Sequence, residues 1–191
     1  MRLSPTSAQF FETMYQEHED PWQFASSQYE HDRYAATLRA LGDRRYRHAF
    51  EPGCSIGILT AQLATVCDRV EAMDISPTAV ARARVRCERL PNVQILCGNL
   101  GAAITDREFD LVVFSEIGYY FNETQLRLIA TKLVKQMPTD GIFLAVHWLG
   151  SSQDHVLDGD RVHEVLKTTA NLHLAQSERY PGFRLDRWTV V

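Results

Sequence analysis

Apolar and polar positions along the chain follow first a helical rhythm and then an alternation of short apolar runs with helical stretches. Between Ser7 and His18, Phe10, Phe11, Met14 and Tyr15 recur at helical spacing, which predicts an amphipathic helix. Asp20-Pro21-Trp22 ends it, because proline disfavours helix at the residue before it. A second helix is predicted over 27–41, carrying Tyr29, Arg33 and Tyr34 early and Leu38 and Leu41 late, with Gly42 as its stop. No strand is predicted before residue 44. The reading is therefore one domain, 1–191, with an N-terminal helical lid over 1–43 and a sheet core over 44–191.

In the core, strands are predicted over 45–50, 69–73, 93–97, 110–115 and 141–148. Helices are predicted over 56–67, from Ser76-Pro77 onward, over 123–137 and over 161–171. Serine suits the N-cap and proline the first helical turn, so Ser76-Pro77 is a helix start. Two last strands, over 173–180 and 183–191, meet at Pro181-Gly182, a junction short enough for a hairpin. Alternation of this kind predicts an α/β fold: a doubly wound, mostly parallel, seven-stranded Rossmann-like sheet whose last strand runs antiparallel.

Composition narrows the partners. The 191 residues carry 45% hydrophobic and 23% charged side chains, as ordinary globular proteins do. A net charge of −4 and a pI near 6.0 give no electrostatic reason for nucleic acid or an anionic membrane as partner. No apolar run is long enough for stable membrane insertion. Cys54, Cys67, Cys87 and Cys97 have no metal-binding spacing and read as small buried hydrophobes in a reducing compartment. The N-terminus lacks the apolar core of a secretory signal, so a cytoplasmic protein is expected, and a monomer rather than an oligomer. The scattered histidines give no metal site. Arg82, Arg84, Arg86 and Arg89 read as a solvated helix face, and Asp154, Asp158 and Asp160 as a solvated loop.

Ligands of doubly wound sheets bind beyond the carboxyl ends of the strands. Here those ends carry Glu51, Asp74, Asn99, Ser115-Glu116 and His147-Trp148, polar groups closing otherwise apolar runs. After the first strand comes Glu51-Pro52-Gly53-Cys54-Ser55-Ile56-Gly57. Its glycine spacing is not that of a dinucleotide fingerprint, and an acid before the first glycine would repel a diphosphate. It suits an ammonium or sulfonium instead. Asp74, about twenty residues on, stands where an acid accepts from ribose hydroxyls. The ligand implied has a ribose and a positive charge and lacks phosphate; S-adenosyl-L-methionine has those features.

At this point the sequence resembles the class I S-adenosylmethionine-dependent methyltransferases over nearly everything after residue 44. Their first motif is matched by Glu51, Gly53 and Gly57, with Ser55 replacing the middle glycine. The resemblance implies that Asp74 holds the ribose, Asn99 accepts from the adenine amino group, and Ile75 and Leu100 sandwich the ring. More narrowly, three blocks resemble the rhizobial nodulation N-methyltransferases. These are Asp20-Pro21-Trp22 through Arg33-Tyr34, Phe50 through Gly57, and Ser115-Glu116-Ile117-Gly118-Tyr119-Tyr120. The implied acceptor is the free amine on the non-reducing-end glucosamine of a deacetylated chitooligosaccharide, in lipochitooligosaccharide (Nod factor) synthesis, and the implied product of the cofactor is S-adenosyl-L-homocysteine.

Within that frame, Glu116 is expected to orient the amine or take its proton, with His147 as the other candidate. Tyr119, Tyr120 and Trp148 are expected to stack on sugar faces. Arg33 is expected to pair with the methionyl carboxylate, with Tyr29 on the same helix face, Trp22 over the cofactor and Ser115 beside it. The residues alone leave other readings open. They are a class I methyltransferase of another small amine, hydroxyl or thiol, an NAD-dependent oxidoreductase, and a non-catalytic binding module.

Overall fold

The computed structural model describes residues 7–100 and 108–191. Helix α1 (Ala8–Glu17) is capped by the Ser7 side chain, and α2 (Gln28–Leu41) runs from Ser27 to Gly42, as the pattern predicts. The sheet strands are β1 (Ala49–Pro52), β2 (Val70–Asp74), β3 (Val93–Cys97), β4 (Leu111–Ser115), β5 (Ile142–Trp148), β6 (Leu172–Arg179) and β7 (Phe183–Val190). Between them lie α3 (Ile58–Leu63), α4 (Pro77–Arg86), α5 (Glu123–Val134) and α6 (Gly159–Lys167). The strand order is β3-β2-β1-β4-β5-β7-β6, with β7 antiparallel to both neighbours and the pairs among β1–β5 parallel. Because the order reverses between β1 and β4, those two strand ends flank the crevice where such sheets bind ligands.

Several elements differ from the sequence pattern at their ends: the helix expected over 161–171 spans Gly159–Lys167, and the one expected over 123–137 stops at Val134. The first strand starts at Ala49, four residues later than expected. Tyr46 makes only an isolated bridge to Cys67, and the N–H groups of Arg47 and His48 go to the Asp110 carboxylate, so no ladder forms before Ala49. Helix α3 ends at Leu63 and not at Cys67. There the Asn92 side-chain amide donates to the carbonyls of Ala64 and Cys67, which are then satisfied without a continued helix.

Helices cover both faces. On one, α5 and α6 bury Leu126, Leu133, Val162 and Leu166 against Phe50, Phe114, Phe143 and Trp188. On the other, α3 and α4 pack over β1–β3. Helix α2 joins this second layer, with Tyr34, Ala36, Ala40 and Leu41 buried against Leu111, Leu144 and Leu185. It is thus part of the sandwich as well as of the N-terminal segment, and α1 is the piece that lies across the strand ends. Cys54, Cys67 and Cys87 are buried free thiols, whereas Cys97 is exposed, contrary to expectation. The α4 arginines do not form one solvated face: Arg82, Arg84 and Arg86 donate to main-chain carbonyls of His18, Glu19, Ile95 and Ile56. Among the described residues no helix is long and apolar enough to cross a membrane.

Candidate functional site

A cavity of about 690 Å³ opens beyond the carboxyl ends of β1 to β5. Of the residues singled out from the sequence, Trp22, Tyr29, Gly53, Asp74, Ile75, Asn99, Leu100, Glu116, Tyr119, Tyr120 and Trp148 line it. A pocket of about 30 Å³ adjoins it, sharing Phe24, Gly53, Ser55 and Glu116, and is lined by Arg33, Glu51 and Ser115. Gly57 and His147 line neither.

The side of the cavity at β1 and β2 is held by main chain. Asp74 Oδ2 accepts from the Ser55 N–H at 2.8 Å and Oδ1 from the Ser76 N–H at 2.9 Å. Burial pushes its carboxyl above the usual range, while hydrogen bonds from the Ser76, Ser55 and Ile75 amides pull it back. Gly53 has φ +76°, and a side chain there would run into Ile117. Gly57, at φ +80°, allows close approach to Ala83 of α4, so its role is packing of α3 on α4. Ser55 adopts φ +51°, a left-handed conformation costing about 1 kcal/mol for a residue with a side chain. Its hydroxyl accepts from Tyr15 Oη at 2.5 Å, which ties α1 to the glycine turn in place of the middle glycine of the motif. A second tie is Glu12, whose carboxylate accepts from the hydroxyls of Ser76 and Thr78 at 2.6 Å.

Glu51 is 4% exposed and accepts from Thr60 Oγ1 at 2.6 Å. Burial pushes its carboxyl up to about 8, and the charge of Asp74 adds to the shift. It lines the small pocket that adjoins the main cavity. Arg33 is 1% exposed. It pairs with Glu30, donates to Ser115 Oγ at 3.1 Å and lies 3.1 Å from Glu116 Oε1. Its Nε also donates to Glu30, at 2.9 Å. Of the five N–H donors of a guanidinium, these contacts leave one for a ligand among the described residues.

The side at β4 and β5 is held by side chains. Glu116 follows β4 at φ +59°. Its Oε1 accepts from the Trp148 N–H and its Oε2 from Tyr119 Oη, both at 2.7 Å, besides the Arg33 contact. The carboxylate therefore has its donors already, which suits a brace better than a base. Tyr119 stacks on His155 with centroids 3.7 Å apart, and Tyr120 and Trp148 meet the same imidazole edge-on at 5.4 and 6.0 Å. His155 and Asp154 line the cavity, although the sequence placed both in a solvated or scattered background. Phe11, Tyr15 and Phe24 were likewise not singled out as site residues. For the first two the signal was present, since positions 11 and 15 share one helix face.

His147 is corrected outright. It is fully buried, its Nε2 accepts from the Gly118 N–H at 3.0 Å, and its Nδ1 lies 3.2 Å from His163 Nε2. His163 Nδ1 in turn donates to Asp186 at 2.8 Å. With both ring nitrogens engaged and burial holding its pKa well below the usual value, His147 fixes the Gly118–Tyr120 turn and does not reach the cavity. Among the described residues no group of three side chains is arranged to hold a metal.

The cavity suits a phosphate-free nucleoside. The lysine or arginine side chain lining it among the described residues is Lys132 of α5, not a residue of the glycine turn, where a diphosphate would need donors. A family model described as nodulation protein S (NodS) matches residues 8–179. Nodulation protein S of Bradyrhizobium diazoefficiens is 29% identical over 140 residues, covering 72% of this chain and 65% of that protein, so the chain spans just under two thirds of that relative. Among solved structures, N-methyltransferase NodS from Bradyrhizobium japonicum WM9, in complex with S-adenosyl-L-homocysteine, superposes with a TM-score of 0.83. That likeness covers 94% of this chain and 97% of that one at 24% identity, and it shows the class I methyltransferase fold. A candidate methyltransferase from Pseudomonas syringae is 34% identical, with a TM-score of 0.76 over 85% of this chain and 99% of its own. With the family model reaching across all but the two ends of the sequence, the chain belongs to the NodS family.

Proposed function

We propose that the chain is an S-adenosylmethionine-dependent N-methyltransferase. Its acceptor in this reading is the free amine of the non-reducing-end glucosamine of a deacetylated chitooligosaccharide. The observation that carries the cofactor is Asp74, whose carboxylate is aimed into the cavity by the amides of Ser55 and Ser76 beside a glycine turn free of cationic side chains. In this reading Asp74 takes the ribose, Asn99, Ile75 and Leu100 take the adenine, and Arg33 and Glu51 meet the methionyl end through the small pocket. The bound cofactor supplies a methyl group already activated by its sulfonium. What the chain must add is alignment and exclusion of water, which proximity alone can turn into a large rate gain. Trp22, Phe24 and Tyr15 from the N-terminal segment do the excluding, and Tyr119, Tyr120 and Trp148 offer aromatic faces to a pyranose.

The acceptor assignment rests on family membership and on this aromatic wall, since fold and cofactor do not choose an acceptor. Labelled-methyl transfer to deacetylated and to fully acetylated chitooligosaccharides tests it. Incorporation only into the deacetylated form is expected. Binding of S-adenosylhomocysteine without transfer to either glycan would keep the methyltransferase and sink the glycan.

A further inference from the structure

The amine must reach the methyl group with a free electron pair, so an acceptor that arrives as ammonium has to give up a proton to some group. The carboxylates lining the cavity are committed elsewhere: Glu30 to Arg33, Asp74 to two amides, Glu116 to Arg33, Tyr119 and Trp148. Asp154 accepts weakly from Ser152 Oγ at 3.5 Å, and a carboxylate is in any case a poorer base than an imidazole. His147 is sealed in the core. His155 remains.

We propose that His155 is the proton acceptor for the attacking nitrogen, a catalytic residue for the reaction proposed above and dependent on that reading. The loop bearing it is fixed by main-chain bonds: the N–H groups of Val156 and Leu157 donate to the Tyr119 carbonyl at 2.8 and 3.1 Å, and that of His155 to Ser152 at 3.2 Å. The ring is held face-on by Tyr119 and edge-on by Tyr120 and Trp148. Its Nδ1 is buried without a hydrogen-bond partner, and the residue lines the cavity, which leaves Nε2 as the nitrogen to take the proton. The titratable groups around it are Glu116 at the end of β4, Asp154 in its own loop, the phenols of Tyr119 and Tyr120, and the buried imidazole of His147. Burial pulls the imidazole below its usual value against the opposing charges of Glu116 and Asp154, so the ring is neutral at neutral pH and able to accept. In the step, one N–H bond of the acceptor's ammonium form breaks, its pair stays on nitrogen as the free electron pair, and the proton goes to Nε2. The nitrogen forms its bond to the methyl carbon as the carbon–sulfur bond breaks, with that pair going to sulfur.

The test uses the full chain and a deacetylated chitooligosaccharide, with S-adenosylmethionine for turnover and S-adenosylhomocysteine for binding. His155→Phe preserves the stack on Tyr119, and His155→Gln preserves polarity. Both are expected to lower kcat about a hundredfold at neutral pH while the dissociation constant of S-adenosylhomocysteine stays within about threefold. The gap should narrow at high pH, where the amine arrives unprotonated, and at low pH, where the wild-type ring is itself protonated. Independently of turnover, the His155 ring nitrogen resonances of the S-adenosylhomocysteine complex should shift when the glycan is added. Turnover within about threefold of wild type in both variants, or ring resonances that do not move, overturns the proposal. Wild type that transfers no methyl to the glycan overturns the acceptor assignment first and takes this step with it, and that outcome is read before any variant is made.

Discussion

Asp74 and Glu116 end strands on either side of β1 and face the same cavity, yet their carboxylates are held by different means. Asp74 is positioned by amides of the glycine turn and of the α4 N-terminus, partners 19 and 2 residues away. Glu116 is positioned by a guanidinium from α2, a phenol from the following turn and one amide from β5. Main-chain donors come with the turn that makes them, and any sequence that folds the turn supplies them. Side-chain donors have to be brought from distant elements and buried together, so the second wall depends on the fold of α2 and the first does not. The two walls should therefore fail differently when cut.

The largest effect is expected at the side-chain wall. Arg33→Met leaves Glu30 and Glu116 facing each other without their cation, in surroundings where the guanidinium is nearly inaccessible. Removing one partner of a buried ion pair costs about 3–5 kcal/mol. Chemical denaturation should show a loss of that size, and calorimetry a cofactor-product affinity weakened more than tenfold. Unchanged stability would mean that Glu116 finds its place without α2, and the contrast between the walls would be lost.

The main-chain wall should show the opposite balance. Asp74→Ala is expected to raise the dissociation constant for S-adenosylhomocysteine about a hundredfold, equivalent to about 2.8 kcal/mol of binding. Its effect on folding should be smaller, about 1–3 kcal/mol, the cost of leaving the buried amides of Ser55 and Ser76 without their acceptor. A variant that unfolds before it loses affinity would place Asp74 with the structural groups.

The same contrast explains what the sequence made legible. Glu51, Gly53 and Asp74 were readable because a strand, a glycine turn and an acid at the next strand end are consecutive signals, each tied to backbone geometry. The Asn122 capping box and the Ser76-Pro77 start were local in the same sense, and the latter was placed correctly. His155 was not readable. It lies in a loop with no periodicity, and what brings it to the site is the pairing of that loop's amides with the Tyr119 carbonyl. The role of His147 was misassigned for a related reason: a strand-end position does not say which face the ring takes, and here it turns inward to His163 and Asp186. Ser55 looked like a defect in the motif, and only the Tyr15 hydroxyl from α1 gives it a purpose.

The finest distinction between the walls lies at Glu51, beneath the junction of the two. Its folded-state carboxyl titrates at about 8 because burial disfavours the charge, whereas in the unfolded chain it titrates in the ordinary carboxylate range. Between those two values the folded protein holds one proton more than the unfolded one. Stability from this group is therefore complete below the ordinary carboxylate range and is lost as pH rises toward 8, by up to about 1.4 kcal/mol per pH unit. Glu51→Gln keeps an acceptor for Thr60 and removes the titration. Between about pH 6 and pH 7 the wild type should lose about 1 kcal/mol more stability than the variant, and contributions from groups not coupled to Glu51 cancel in that difference. Parallel curves would mean that Glu51 is ionised in the folded protein, poised for a cation without releasing a proton. A sloping difference means instead that binding the positively charged cofactor must expel a proton there, which calorimetry in buffers of different ionisation heat would register directly.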